Sequence, residues 1–176
     1  MSIRRLAAGT ALAASMTLAM ALPAAADDPP QPSAAFAGSV VGGPGATTVA
    51  IRYTCTDVVP GSFGNHLFVA VKQGPNVDLE HTSSGSAVTF YSTNWKPDAG
   101  PNALRCDGKS HTQTIVLKPQ PGSPADMPAL HAGTALVQIC VYDNVTGFGP
   151  PPFEEPIGGF AASYTMQDVH IGAGRS

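Results

Sequence analysis

Two residue types in this chain could do chemistry if they were brought together: five histidines, at positions 66, 81, 111, 131 and 170, and three cysteines, Cys55, Cys106 and Cys140. A metal centre needs three or four such ligands converging on one ion. No two histidines stand at a spacing that builds a site on one element, and the adjacent pairs Glu80-His81 and Glu154-Glu155 point apart on a strand or turn. No metal site and no cofactor are expected. Nucleophilic catalysis would need a serine or cysteine with a base held against it. The chain has no G-x-S-x-G elbow, and Ser83-Ser84-Gly85-Ser86 reads as a flexible turn. Asp107-Gly108, beside Cys106, reads as a turn in which glycine takes a positive φ and Asp caps its own backbone. No catalytic residue is assigned. An active centre, if there were one, would lie where His66, His111 or His131 meets a carboxylate or a serine.

The aromatic residues offer a different chemistry. Phe148, Phe153 and Phe160 stand around Pro150, Pro151, Pro152 and Pro156, which makes the segment 147–156 a stiff, partly apolar loop. Either it forms a binding surface, as loops on rigid scaffolds often do, or its phenylalanines cap the open end of a core. Trp95, in Asn94-Trp95-Lys96-Pro97, allows the same two readings.

These side chains must be held by strands. From Thr47 to Thr56 the chain alternates, with Val49, Ile51, Tyr53 and Cys55 on one face, and a period of two marks a half-buried strand. Further strands are expected at 35–41, 66–73, 87–92, 111–118, 134–142 and 159–167, separated by Gly/Pro turns. In the strongest of them Ala135, Val137, Ile139 and Val141 form an apolar stripe. No sustained helical spacing appears. About seven short strands predict an all-β fold, a two-sheet Ig-like sandwich, with a small closed β-barrel as the alternative that alternation does not separate from it.

The N-terminal residues carry Arg4 and Arg5, an apolar stretch from Leu6 to Leu22, then Pro23 and Ala24-Ala25-Ala26. This is the layout of a secretory signal with an A-x-A cleavage site, so residues 1–26 are read as a signal peptide, 27–34 as a disordered lead and 35–176 as one domain. With no second apolar segment, no membrane association is expected after cleavage, and the product is placed outside the cell. Cleavage leaves 176 − 26 = 150 residues with seven basic and twelve acidic side chains, a formal charge of 7 − 12 = −5. Nucleic-acid binding draws on clustered Lys and Arg and is excluded on that ground. Asn144-Val145-Thr146 matches a glycosylation acceptor, a match too short to carry a role by itself.

Three cysteines in an exported chain permit one intrachain bridge and leave one thiol. Cys55 continues the inward face of its strand, and Cys106 lies in the loop before the strand at His111. Cys140 sits with Leu136, Gln138 and Tyr142, opposite the apolar stripe and pointing away from the core. Cys55–Cys106 is therefore preferred to Cys55–Cys140. Cys140 is read as a free thiol: inert if a strand or the 147–156 loop covers it, and otherwise a bridge to a second chain in what would else be a monomer.

Tyr53-Thr54-Cys55, Cys106-Asp107-Gly108-Lys109-Ser110-His111 and Gly133-Thr134-Ala135-Leu136-Val137 together resemble a group of small secreted Ig-like β-sandwich proteins of high-GC Gram-positive bacteria, a family with no assigned activity. The likeness spans Val49 to Val141, and Cys140 and the proline loop depart from it. It implies a scaffold and no reaction. The sequence therefore points first to a non-enzymatic extracellular module that binds a protein, glycan or envelope component through its loops. The alternative is a small secreted hydrolase or metal-dependent enzyme.

Overall fold

A computed structural model describes residues 31–43, 45–93, 102–151 and 155–172. The chain is all-β: β1 Ser33–Gly43, β2 Ala46–Thr54, β3 His66–Gln73, β4 Thr89–Ser92, β5 Ser110–Pro119, β6 Gly133–Phe148 and β7 Pro156–Ile171, with one 3-10 turn at Ser84–Ser86. The strands close into a barrel in the order β1-β2-β5-β4-β3-β6-β7. Of the two architectures open to the sequence, the closed barrel is the one formed.

Every strand pairs on both sides, and the closure depends on two short seams, β1 with β7 and β4 with β5. β1 runs antiparallel to β2 and also pairs parallel with β7, at Val40↔Val169, Val41↔His170 and Gly42↔Ile171. Its register shifts between Phe36 and Val40, around Gly38, whose φ of 134° lies outside what side chains with a Cβ readily adopt. The four-residue β4 pairs with β3 and meets β5 only at Tyr91↔Pro119 and Ser92↔Lys118. The barrel is thus a β1-β2-β5 set and a β4-β3-β6-β7 set joined by two short seams. The inward faces are the same as those of a sandwich, which is why period-two patterning serves both.

The interior is filled by the residues that alternation marks: Val49, Ile51 and Tyr53 of β2, Val69 and Val71 of β3, Ile115 and Leu117 of β5, and Val137, Ile139 and Val141 of β6. Registers such as Val49↔Ile115, Val69↔Ile139 and Val71↔Val137 bring them face to face. Cys55, at the end of β2, is bonded to Cys106, with Cα atoms 4.7 Å apart.

One feature departs from the pattern. β3 is buried along its whole length, on both faces. Its outer side contributes Phe68 and Ala70 to a second apolar cluster with Phe90, Cys140, Tyr142 and Val145, and Met127 packs against it. Cys140 does point away from the barrel interior, but into this second cluster rather than out of the core. It is a free thiol, 1% exposed.

Candidate functional site

The connection from β2 to β3, residues 55–65, and the β6–β7 hairpin meet at one end of the barrel. The β6 ladder to β7 shifts register between Asp143 and Gly147. Within this bulge Asn144 has φ 50°, the one left-handed non-glycine residue among those described, a conformation asparagine tolerates better than most. The partner strand needs a glycine here, since a Cβ on Gly158 would stand 2.6 Å from Asp143 O.

The bulge holds the 55–65 connection through polar side chains. Both Asp143 carboxylate oxygens accept from Thr56 N at 3.2 Å, and Oδ2 accepts from Thr56 Oγ1 at 2.6 Å. Asn144 Oδ1 accepts from Val59 N at 2.7 Å, while Asn144 Nδ2 donates to Thr56 Oγ1 at 2.9 Å. Asn65 Oδ1 accepts from Asn144 N at 2.7 Å, and the backbone bonds Phe63 N to Val145 O and Val145 N to Gly64 O complete the pairing. The amide nitrogen of the Asn144-Val145-Thr146 motif is therefore engaged inside the fold.

This frame presents an apolar tip. Phe63 is 60% exposed and Phe148 43%, with ring centres 5.6 Å apart, and Phe148 also stands edge-on to the buried His66 ring at 5.5 Å. Val58 and Val59 are exposed beside them, and so are Pro60, Pro150 and Pro151. Residues 58–64 and 145–151 contain no charged side chain. Of the loop residues expected from sequence, Phe148, Pro150 and Pro151 lie on this tip; Pro152, Phe153 and Trp95 fall outside the described residues. Phe160 is not part of the tip: its ring lies 4.9 Å from Tyr142 on the outer face of β6 and β7. Sequence reading passed over Val58, Val59 and Phe63. Their signal was two valines and a phenylalanine around a Pro-Gly turn, where apolar residues have no core to enter.

The histidines are dispersed. His66 Nε2 lies 3.3 Å from Phe63 O, His131 Nδ1 lies 2.9 Å from Ala132 O, and His81 pairs with Asp78 at 2.9 Å. Among the described residues no group of three or more His, Cys, Asp or Glu side chains could hold a metal ion. His111 does meet a carboxylate, with Nε2 2.7 Å from Asp107 Oδ1. The His111 hydrogen bond, with the Lys109 amide and the charges of His111 and Arg105, holds the Asp107 carboxyl below its ordinary range. The other groups on Asp107 are Lys109 N and Arg105 Nε, and the neighbouring Cys106 sulfur is in the disulfide. Among the described residues no serine or cysteine nucleophile hydrogen-bonds the pair, and its contacts latch the turn into β5. Comparison with protein-family models, curated proteins and solved structures finds no match to this chain.

Proposed function

We propose that the chain is an exported, non-enzymatic β-barrel module that binds a protein partner through the apolar tip formed by the 55–65 connection and the β6–β7 hairpin. The observation that carries this reading is the Phe63–Phe148 pair, two exposed rings in contact within segments 58–64 and 145–151, which carry no charged side chain. Aromatic anchors surrounded by small apolar residues supply most of the binding energy at protein interfaces. The network around Asp143 and Asn144 supports it further, because a tip already held in place loses little entropy on binding. A glycan would instead call for a set of free hydrogen-bonding side chains, whereas in residues 58–64 and 145–151 the hydroxyls are those of Ser62 and Thr146, each bonded to the backbone.

Export is supported by the charged, apolar and small-residue layout of residues 1–26 and by the Cys55–Cys106 bridge, a bond that persists in oxidising compartments. The likeness to small secreted Ig-like proteins belongs to the same reading. The burial of Cys140 keeps its sulfur from a second chain and so supports a monomer over a disulfide-linked dimer. The test is a pull-down of the mature domain against envelope and secreted protein fractions, with Phe63→Ser/Phe148→Ser as the paired variant. Retention of a protein by the parent and its loss by the variant is the expected result. No retained protein at micromolar concentration, or equal retention by both, sinks the proposal. A hydrolase panel run on parent and His111→Ala addresses the enzymatic alternative.

A further inference from the structure

A group of reactive side chains lies away from the tip, on the outer face of β3, β6 and β7. Lys72 is 3% exposed there. Its Nζ donates to Thr82 O at 2.5 Å and to Gln138 Oε1 at 2.8 Å, and stands 5.2 Å from the centre of the Phe90 ring. Among the described residues no carboxylate pairs with it. Burial lowers the Lys72 pKa, which favours the neutral, nucleophilic amine.

The amide that Lys72 touches has a thiol on its other side. Gln138 Nε2 donates to Tyr164 Oη at 3.4 Å and to Cys140 Sγ at 3.5 Å, so the Tyr164 hydroxyl and the Cys140 thiol stand on the same amide nitrogen. The strand geometry makes this meeting obligatory. Gln138 and Cys140 are two apart on β6 and share a face. The registers Ala70↔Gln138 and Gln138↔Tyr164 set Tyr164 directly beside the glutamine, with Lys72 on the diagonal. An amine, a primary amide, a thiol and a phenol, the parts of an acyl-transfer centre, therefore converge on one glutamine.

We propose that Lys72 and Gln138 become joined by an amide bond between Nζ and Cδ, formed within the folded chain, with Cys140 as the nucleophile and Tyr164 as the proton carrier. Cys140 Sγ attacks Gln138 Cδ, and the thiol proton passes through Tyr164 Oη to Nε2. The Cδ–Nε2 bond breaks, ammonia leaves, and a thioester joins Sγ to Cδ. Lys72 Nζ then attacks the same carbon, the C–S bond breaks, and a proton from the amine returns to the sulfur. The net change is one amide exchanged for another with loss of one ammonia, and no oxidant or co-reactant is consumed. Burial raises the Cys140 pKa and favours the thiol, so attack needs the proton removed as the bond forms, the part assigned to the Tyr164 hydroxyl beside the same amide nitrogen. Fixed contact between the groups replaces encounter. Gln138 is half-buried and Tyr164 is 43% exposed, so ammonia has a path to water, and its escape drives the exchange forward.

Mass spectrometry of the purified, reduced and denatured protein tests this. The intact mass is expected to fall short of the mass of the reduced processed chain by one ammonia. After trypsin, the peptides carrying Lys72 and Gln138 are expected as one branched species, uncut after Lys72. Lys72→Arg, which keeps the charge but lacks the amine, should give no branched peptide, and Cys140→Ala should lose it as well. A full-mass parent protein with a linear peptide ending at Lys72 overturns the proposal. Branching at the parent's level in Cys140→Ala overturns the role of the thiol.

Discussion

Thr47 is 1% exposed on β2, and among the described residues its Oγ1 has no hydrogen-bond partner. A buried hydroxyl left without a partner costs more than the bond it forgoes, because water satisfied it in the unfolded chain. Thr47→Val replaces the hydroxyl by a methyl of similar size and removes that cost, so stability should rise by about 1 kcal/mol. The measurement is a urea titration in which the midpoint moves up at unchanged slope. Thr47→Ser, which keeps the hydroxyl and deletes the methyl, should move it down. A valine variant less stable than the parent would mean that Oγ1 has a partner after all. Lys72 shows the contrasting case: it is also buried, but two carbonyl oxygens accept from its Nζ and an aromatic face stands over it. Buried polar atoms on this scaffold therefore differ by whether they are satisfied rather than by how deep they lie.

Among the elements, the β6 bulge decides what the tip looks like. Asn144 supplies a left-handed residue and, through its side chain, an acceptor for Val59 N and a donor to Thr56 Oγ1. Asn144→Ala removes these bonds, with the longer ones from Nδ2 to Asp57 O and Asp143 Oδ1, and leaves at positive φ a side chain without the local hydrogen bonds that ease it, for an expected loss of about 2–3 kcal/mol. Asn144→Gly keeps the backbone free and should lose less. Denaturant midpoints rank the two, and hydrogen exchange at the Val59 amide should quicken in both. An alanine variant as stable as the parent would remove the bulge from this role. The same region marks where legibility ended. Alternation carried β6 from Thr134 to Tyr142, and Asp143-Asn144 read as its end, yet the strand resumes beyond the bulge to Phe148. Phe63 went unnoticed because period-two patterning is silent about loops, and only the folded chain brings it to Phe148. The Gln138 and Cys140 face reads only as pointing away from the inner stripe, and what covers it is not legible in β6 alone. Phe68 and Phe90, which help to bury it, come from other strands. Strands and inward stripes were legible because each is local; the tip and the outer cluster were not, because each is built from residues far apart in the chain.

At the scale of the molecule, the barrel is held by seams of unequal strength. β1 meets β7 through three residue pairs and β4 meets β5 through two, whereas β2 and β5 are registered continuously from Thr47↔Leu117 to Thr54↔Ser110. The Cys55–Cys106 bridge lies at the end of this continuous ladder, where Gly108 N also donates to Cys55 O at 2.9 Å. It therefore does not hold a weak seam shut, and its effect on the native ladder should be small. What it constrains is the unfolded chain, across a sequence separation of 51 that contains β3 and β4. A loop of that length corresponds to about 4 kcal/mol in the loop-entropy account. The double variant Cys55→Ser/Cys106→Ser should accordingly keep its β-sheet circular dichroism in the absence of denaturant while its urea midpoint falls by an amount equivalent to about 4 kcal/mol. Amide exchange distinguishes this from local opening: the slowest amides of β2, β5 and β6 should accelerate together by the same free energy, since exchange at the core reports global unfolding. Acceleration confined to the β2–β5 ladder, with β6 unchanged, would show that the bridge acts on the folded barrel and that the unfolded-state account is wrong.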